Sequence, residues 1–150
     1  MKSLVLLVLL LATCGCGGVD DSQLGSYTTH GWSLVSAYER AHREKNVERA
    51  LALVHLGSVD TRTRDVLIKS LKDDFQKELV SAELLPLAGD EQLEFVFNGR
   101  RVVPNLKVEQ RLRVQMRSSG PDGKPVSSTT EYFVGKLNGR EMIASSQDAP

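Results

Sequence analysis

The stretch Leu106-Lys107-Val108-Glu109-Gln110-Arg111-Leu112-Arg113-Val114-Gln115-Met116-Arg117 alternates between two kinds of side chain along its whole length. Leu106, Val108, Gln110, Leu112, Val114 and Met116 fall on one side. Lys107, Glu109, Arg111, Arg113, Gln115 and Arg117 fall on the other. Period two is the period of a pleated strand, so the spacing predicts a half-buried β-strand with an aliphatic inner face. It is about twice the usual strand length of five to six residues, and a strand that long twists and bends.

Reading outward, the flanking segments supply partners for this strand. Ser118 to Lys124, with Gly120-Pro121-Asp122-Gly123, is a polar loop, and Val126 to Leu137 is a second long strand. Asn138-Gly139 is a two-residue hairpin signal, and Arg140 to Ser146 pairs back across it. In that register Lys136 faces Glu141 and Val134 faces Ile143, both favourable cross-strand pairs. Upstream, Phe95 and Phe97 lead into a second hairpin signal, Asn98-Gly99. Arg100 to Val103 returns from it, and Pro104 ends that strand. Val80, Ala82 and Leu84 alternate with Ser81 and Glu83, which predicts one more strand with those three inward.

Before Lys77 the period is helical. Trp32, Val35, Tyr38 and Ala41 with His42 recur at helix spacing as far as about Lys45. Asn46 is a suitable cap for a second helix carrying Val47, Ala50, Leu51 and Val54 on one face, with Gly57 ending it. A third helix is predicted from Asp60 or Thr61, with Val66, Leu67, Leu71 and Phe75 inward and Arg62, Arg64, Lys69, Lys72 and Asp73 outward. Three helices followed by four to six antiparallel strands make an α+β domain. Its N-terminal helices must pack on one face of a strongly curved sheet.

The N-terminus reads differently. Met1-Lys2-Ser3, the apolar run Leu4 to Leu11 and the small-residue exit Ala12-Thr13-Cys14-Gly15-Cys16-Gly17-Gly18 describe a signal peptide. The run is shorter than the roughly 20 apolar residues that a membrane-spanning helix needs. The exit resembles a bacterial lipobox, in which a lipidated cysteine becomes the new N-terminus. Leu11-Ala12-Thr13-Cys14 matches in its first two positions and its cysteine, although Thr13 is larger than the usual small residue. Cys16 is the rival, with Gly15 before it but a poorer start. Cys14 is favoured between the two. The expectation is a chain exported and held to a bacterial membrane by covalent lipid. In a cell with two membranes, the Gly after either cysteine favours the outer one. Residues 1–15 form this leader and lipobox region, and residues 16–31, rich in Gly, Ser, Thr and Asp, form a flexible tether. It has a reach on the order of 20 Å. The domain spans residues 32–146, and residues 147–150 are expected to fray.

Composition bounds the function. Formal net charge is zero, and losing Lys2 with the leader takes it to −1. That gives no electrostatic footprint for nucleic acid. Aromatic residues are only 5%, so the core is mostly aliphatic. Both cysteines precede the domain, which therefore has neither a disulfide framework nor a cysteine-based metal site. No phosphate-binding glycine loop or nucleophile motif appears, and no cofactor is expected.

The order of elements, with Ala37-Tyr38-Glu39-Arg40-Ala41 and then Lys45-Asn46-Val47-Glu48-Arg49-Ala50-Leu51, resembles the nuclear transport factor 2-like superfamily. That resemblance covers roughly residues 32–146. It implies a cone-shaped fold with an apolar cavity between the sheet and the first helix. Some members use an Asp, His or Tyr in the cone for cyclase, isomerase or dehydratase chemistry, and others only bind. Here the inner face of the best strand is aliphatic apart from Gln110, and an amide exchanges no proton near neutral pH.

The pocket candidates are Trp32, Tyr38, His42 and Gln110. Trp32 and Tyr38 serve equally as helix-to-sheet packing, Gln110 as a structural amide, and His42 and His55 as partly buried structural residues. His30 falls in the tether. The stripe Lys107, Arg111, Arg113 and Arg117 is either a solvated face neutralised by Glu109 and Glu131 or a site for an anionic polymer or headgroup. The leading expectation is a non-catalytic binding domain for a small apolar ligand or an envelope protein. Two alternatives stay open. One is an envelope enzyme with a histidine in the cone; the other is a structural subunit showing an apolar patch or a homodimer through the sheet.

Overall fold

The computed structural model describes residues 33–149 apart from 58, 60 and 98. The leader, Cys14, Cys16, the tether, His30 and Trp32 lie outside the described residues.

Three helices come first. Helix α1 (Leu34–Arg43) starts at Ser33, whose hydroxyl accepts a hydrogen bond from the Ser36 amide at 3.2 Å. Helix α2 (Val47–Leu51) starts at Asn46, whose side chain accepts from the Arg49 amide at 3.0 Å, the predicted cap. It stops well short of Gly57. Val54 and His55 instead form a short strand, β1 (Val54–His55), parallel to the strand ending at Ala144. The Leu53 carbonyl accepts from the Ile143 amide at 2.8 Å. A helix continued through Val54 would deny that amide its partner, so the sheet edge wins over local propensity.

Helix α3 (Thr61–Asp74) buries Leu67 and Leu71, with Phe75 just beyond it, as expected, but not Val66. Thr63, Leu67, Leu71 and Asp74 are buried, whereas Val66 is 46% exposed. The spacings of four, four and three keep the buried set in one stripe, and Val66 falls beside it.

The strands are β2 (Glu78–Pro86), β3 (Phe95–Phe97), β4 (Arg100–Pro104), β5 (Val108–Ser119), β6 (Pro125–Leu137), β7 (Arg140–Ala144) and β8 (Ser146–Asp148). Together with β1 they form two open sheets and no closed barrel among the described residues. One is a five-stranded, mostly antiparallel sheet ordered β1-β7-β6-β5-β2; the other is ordered β3-β4-β8. The register Lys136↔Glu141 and Val134↔Ile143 is as expected. Asn138 and Gly139 have φ of 52° and 80°, the left-handed pair that a tight hairpin turn demands. The C-terminal residues expected to fray are paired instead. Val103 faces Gln147, Val102 faces Asp148, and the Ala149 amide donates to the Arg101 carbonyl at 2.8 Å.

The central strand carries the core. Leu112, Val114 and Met116 are each 0% exposed, packed beneath Leu34, Tyr38, Ala41, Leu71 and Phe75 from the helices. Two bulges reset the alternation at its flanks. A register shift between Leu79 and Ser81 leaves Val80 46% exposed and puts Leu79 against the core in its place. Val80 was expected inside; an extra residue in one strand flips the phase, which sequence alternation alone does not reveal. The second shift lies between Val108 and Gln110.

Gly135, opposite Val108 at this second bulge, is needed for close approach. A Cβ there would overlap the Lys107 carbonyl oxygen and sit 2.9 Å from Leu106 Cβ. Gly139, with φ of 80°, has open space around the same position. Gly135→Ala is therefore expected to destabilise through a backbone clash by about 3 kcal/mol, the upper end of overpacking costs. Gly139→Ala carries only conformational strain, about 1–2 kcal/mol. Urea unfolding of the two variants measures the difference; equal losses would mean that the bulge relaxes without cost.

Candidate functional site

A cavity of about 70 Å³ lies between the helical layer and the sheets. Its wall is built from Tyr38 of α1, Ala50 of α2, Val54 of β1, Leu67 and Leu71 of α3, Tyr132 of β6 and Ile143 of β7. Leu93, Phe95, Pro104, Ser145 and Ser146 lie on the side toward the second sheet. One water needs about 10–15 Å³ by this measure, and a dry engineered cavity of about 150 Å³ takes benzene. The space therefore suits a compact molecule of a few heavy atoms.

The two tyrosines and Ser145 are placed by their elements. The α1 stripe Leu34, Tyr38, Ala41 and His42 turns inward, and Tyr38 is 1% exposed. On β6, Thr130, Tyr132 and Val134 share the inner face, with Glu131 on the outer one. The two tyrosine rings lie 6.1 Å apart at 49°. Ser145 is committed elsewhere. Its hydroxyl donates to the His55 carbonyl at 2.7 Å, its amide donates to Asn105 Oδ1 at 2.9 Å, and Asn105 Nδ2 donates to both Ser145 Oγ and the His55 carbonyl at 2.7 Å. This node ties β1, the segment before β5 and the β7–β8 junction together. The Tyr38 hydroxyl, in contrast, is buried beside that of Tyr132, without a bond of ordinary length and angle.

A charged group stands behind the tyrosines. Asp74, the last residue of α3, is 5% exposed, and its Oδ1 lies 2.7 Å from Lys77 Nζ. Burial pushes the Tyr38 hydroxyl up to about 12. The nearby Tyr132 hydroxyl works against that rise, and the Asp74 charge adds to it. Burial, then Tyr38 and Asp74, raise Tyr132 well above the ordinary tyrosine value. Both phenols stay protonated across the neutral range and act as donors rather than bases.

The sequence-derived candidates separate. Tyr38 lines the cavity. His42 is buried, with its ring 5.0 Å from Phe75 in an edge contact, and lies on the groove formed with Leu79 and Ser81 rather than on the cavity. Its Nε2 makes no hydrogen bond, and burial holds the imidazole below its ordinary value. Gln110 sits half-buried opposite Val134 on the inner face of β5, away from the cavity wall. His55 contributes its backbone carbonyl to the Asn105 node. Neither described histidine is on the cavity wall, and no Asp or Glu is either. Within the basic stripe Arg111, Arg113 and Arg117 are paired, whereas Glu109, expected to help neutralise it, pairs with Lys136 instead. Glu131 accepts from Arg111 at 3.1 Å and from Arg113 at 2.9 Å, Glu78 lies 3.8 Å from Arg117, and Glu109 lies 3.3 Å from Lys136. Among the described residues no three His, Cys, Asp or Glu side chains converge to hold a metal ion.

Sequence reasoning missed Asp74, Tyr132 and the Asn105–Ser145 node. A signal existed for the first two. Asp74 follows Leu67 and Leu71 at seven and three residues on the helix stripe, and Tyr132 alternates with Val134. The node joins residues 40 positions apart, and no local pattern announces it. Comparison with protein-family models, with curated proteins and with solved structures gave no match.

Two predictions follow from the buried polar atoms. A phenol hydroxyl buried without a partner costs about 1–3 kcal/mol. Tyr38→Phe is therefore expected to raise unfolding free energy by about 1 kcal/mol in urea titration; a loss of that size would mean that the hydroxyl is bonded. For His42 the folded value lies below the unfolded 6.5, so the unfolded chain binds the proton more readily. Stability tied to the neutral ring is complete above that pH and falls as the pH drops below it. His42→Leu is expected to flatten the pH dependence below 6.5 relative to the wild type; parallel curves would show that the ring charges without cost.

Proposed function

We propose that this chain is a lipid-anchored protein of the bacterial envelope that binds a small, mostly apolar ligand in a cone between its helices and sheet. The observation that carries the binding reading is the apolar cavity enclosed by side chains of all three helices and of both sheets. The wall has no base. Its tyrosines are too strongly protonated to take a proton near neutral pH, and neither described histidine reaches it. This favours binding over cyclase or isomerase chemistry. The order of helices before a mostly antiparallel sheet supports the nuclear transport factor 2-like reading of the domain.

The anchor rests on the leader Met1 to Leu11 and on Cys14, with Cys16 as the alternative. A single acyl chain binds a membrane only marginally, so stable attachment needs more than one. Against a structural-subunit role, the large exposed apolar side chains among the described residues are the valines Val66, Val80, Val96 and Val126, one each on α3, β2, β3 and β6. A dimer through the sheet would call for a concentrated patch.

Mass spectrometry of the full chain extracted in detergent separates the two parts of the proposal. Excess mass that survives denaturation is covalent lipid, and it should be absent from Cys14→Ser and present in Cys16→Ser. Excess mass present under native conditions and lost on denaturation is the ligand. No covalent excess in the wild type would sink the anchor, and the reverse cysteine pattern would move it to Cys16.

A further inference from the structure

We infer that the open edge of β2, with the groove beside α1, takes an extended strand from a partner protein, in which basic residues four positions apart flank a short apolar stretch. Among the described residues β2 is the last strand of the five-stranded sheet and pairs on one side alone, with β5. Alternate residues of such an edge strand turn their N–H and C=O groups outward, where another strand can take them. An open groove of about 400 Å³ lies at this edge. Glu39, His42 and Arg43 of α1 form one wall, and Leu79, Val80 and Ser81 of β2 form the other. A helix beside a free edge supplies both parts of strand recognition: main-chain hydrogen bonds along the edge and a recess for alternate side chains. The cavity between helices and sheets is separate, since no residue of β2 lies on its wall.

The pairing of β2 with β5 sets the pattern of the incoming strand. Glu78 faces Arg117 and Glu83 faces Arg113, on the outer face of the sheet. The bulge between Leu79 and Ser81 absorbs one residue, so five steps along β2 match four along β5. Between those arginines, Met116 and Val114 point inward, opposite Leu79 and Ala82. A strand on the open side that repeats this spacing sets its two cations beside Glu78 and Glu83 and its apolar side chains into the groove by α1. Both glutamates have capacity for a cation. Each lies 3.8 Å from its arginine, beyond hydrogen-bond distance, and their side chains are 65% and 48% exposed. Arg113 meanwhile bonds Glu131 at 2.9 Å. Val80, turned outward at the bulge, adds apolar surface to the groove. A second copy fits worse, because pairing β2 with β2 would crowd four glutamates along one seam.

The probe is the end-blocked peptide Thr-Arg-Val-Thr-Val-Arg-Thr, titrated by calorimetry into the full chain in a neutral maltoside detergent. Residue-resolved amide exchange then locates it. The peptide is expected to bind and to protect alternate amides of β2 between Leu79 and Leu85. Glutamate in place of both of its arginines should weaken binding about tenfold, since attraction becomes repulsion at two cross-strand positions. Glu78→Gln combined with Glu83→Gln should cost the basic peptide about fivefold, the worth of two cross-strand ion pairs. N-methylation of the three central peptide amides should abolish binding, because it removes main-chain donors and keeps the side chains. No binding of the basic peptide would overturn the inference, as would protection outside β2 or binding kept after N-methylation. Equal affinity for the acidic peptide, or affinity unmoved by the two glutamine substitutions, would overturn the choice of a basic partner. Alternate β2 amides already protected in the free chain would also overturn it, the edge then being filled by this chain or by a second copy.

Discussion

Everything in this domain is built against one strip of surface, the inner face of β5. Leu112, Val114 and Met116 are fully buried there, with β6 and β2 hydrogen-bonded on either side and the helices packed above. A strand flanked on both edges cannot shift register without moving its whole apolar set to solvent. That constraint places β6, and β6 in turn carries Tyr132 and Val134 to the underside of the helices. On the opposite face, Arg111 and Arg113 converge on Glu131, which holds the outer surface near neutrality.

The second sheet is attached differently. It shares no strand with the first, and Asn105 and Ser145 bridge the gap by satisfying each other and the His55 carbonyl. These part-buried groups cannot all be bonded unless β1, the segment before β5 and the β7–β8 junction arrive together. The cavity lies beside this node. Its wall draws on three helices and on strands of both sheets, so the site is complete only when the whole domain is.

The polar content of the core explains the chemistry open to it. Asp74 is buried yet paired with Lys77, and its charge helps keep two tyrosines protonated. Buried charges of this kind are more often tolerated for specificity than for stability. The arrangement suits donation of a hydrogen bond in an apolar setting and does not suit proton abstraction. His42, one turn along the same α1 stripe as Tyr38, packs on Phe75 and lies on a separate groove.

Several features were determined by the sequence alone because they depend on neighbours along the chain. The cap at Asn46, the start of α3 at Thr61, the hairpin at Asn138-Gly139 and the alternation of β5 are local in this sense. The leader and the two cysteines are likewise a reading of the sequence by itself. Tertiary structure decided what local pattern leaves degenerate. Val54 left its helix face for a sheet edge because the Ile143 amide needed an acceptor nearby. Val80 went outward because a bulge inserted one residue, and the last residues paired with β4 because an open edge was available. Only the packed chain brings Tyr38, Tyr132 and Asp74 together, since burial and through-space charge depend on distance in the fold and not on separation in sequence.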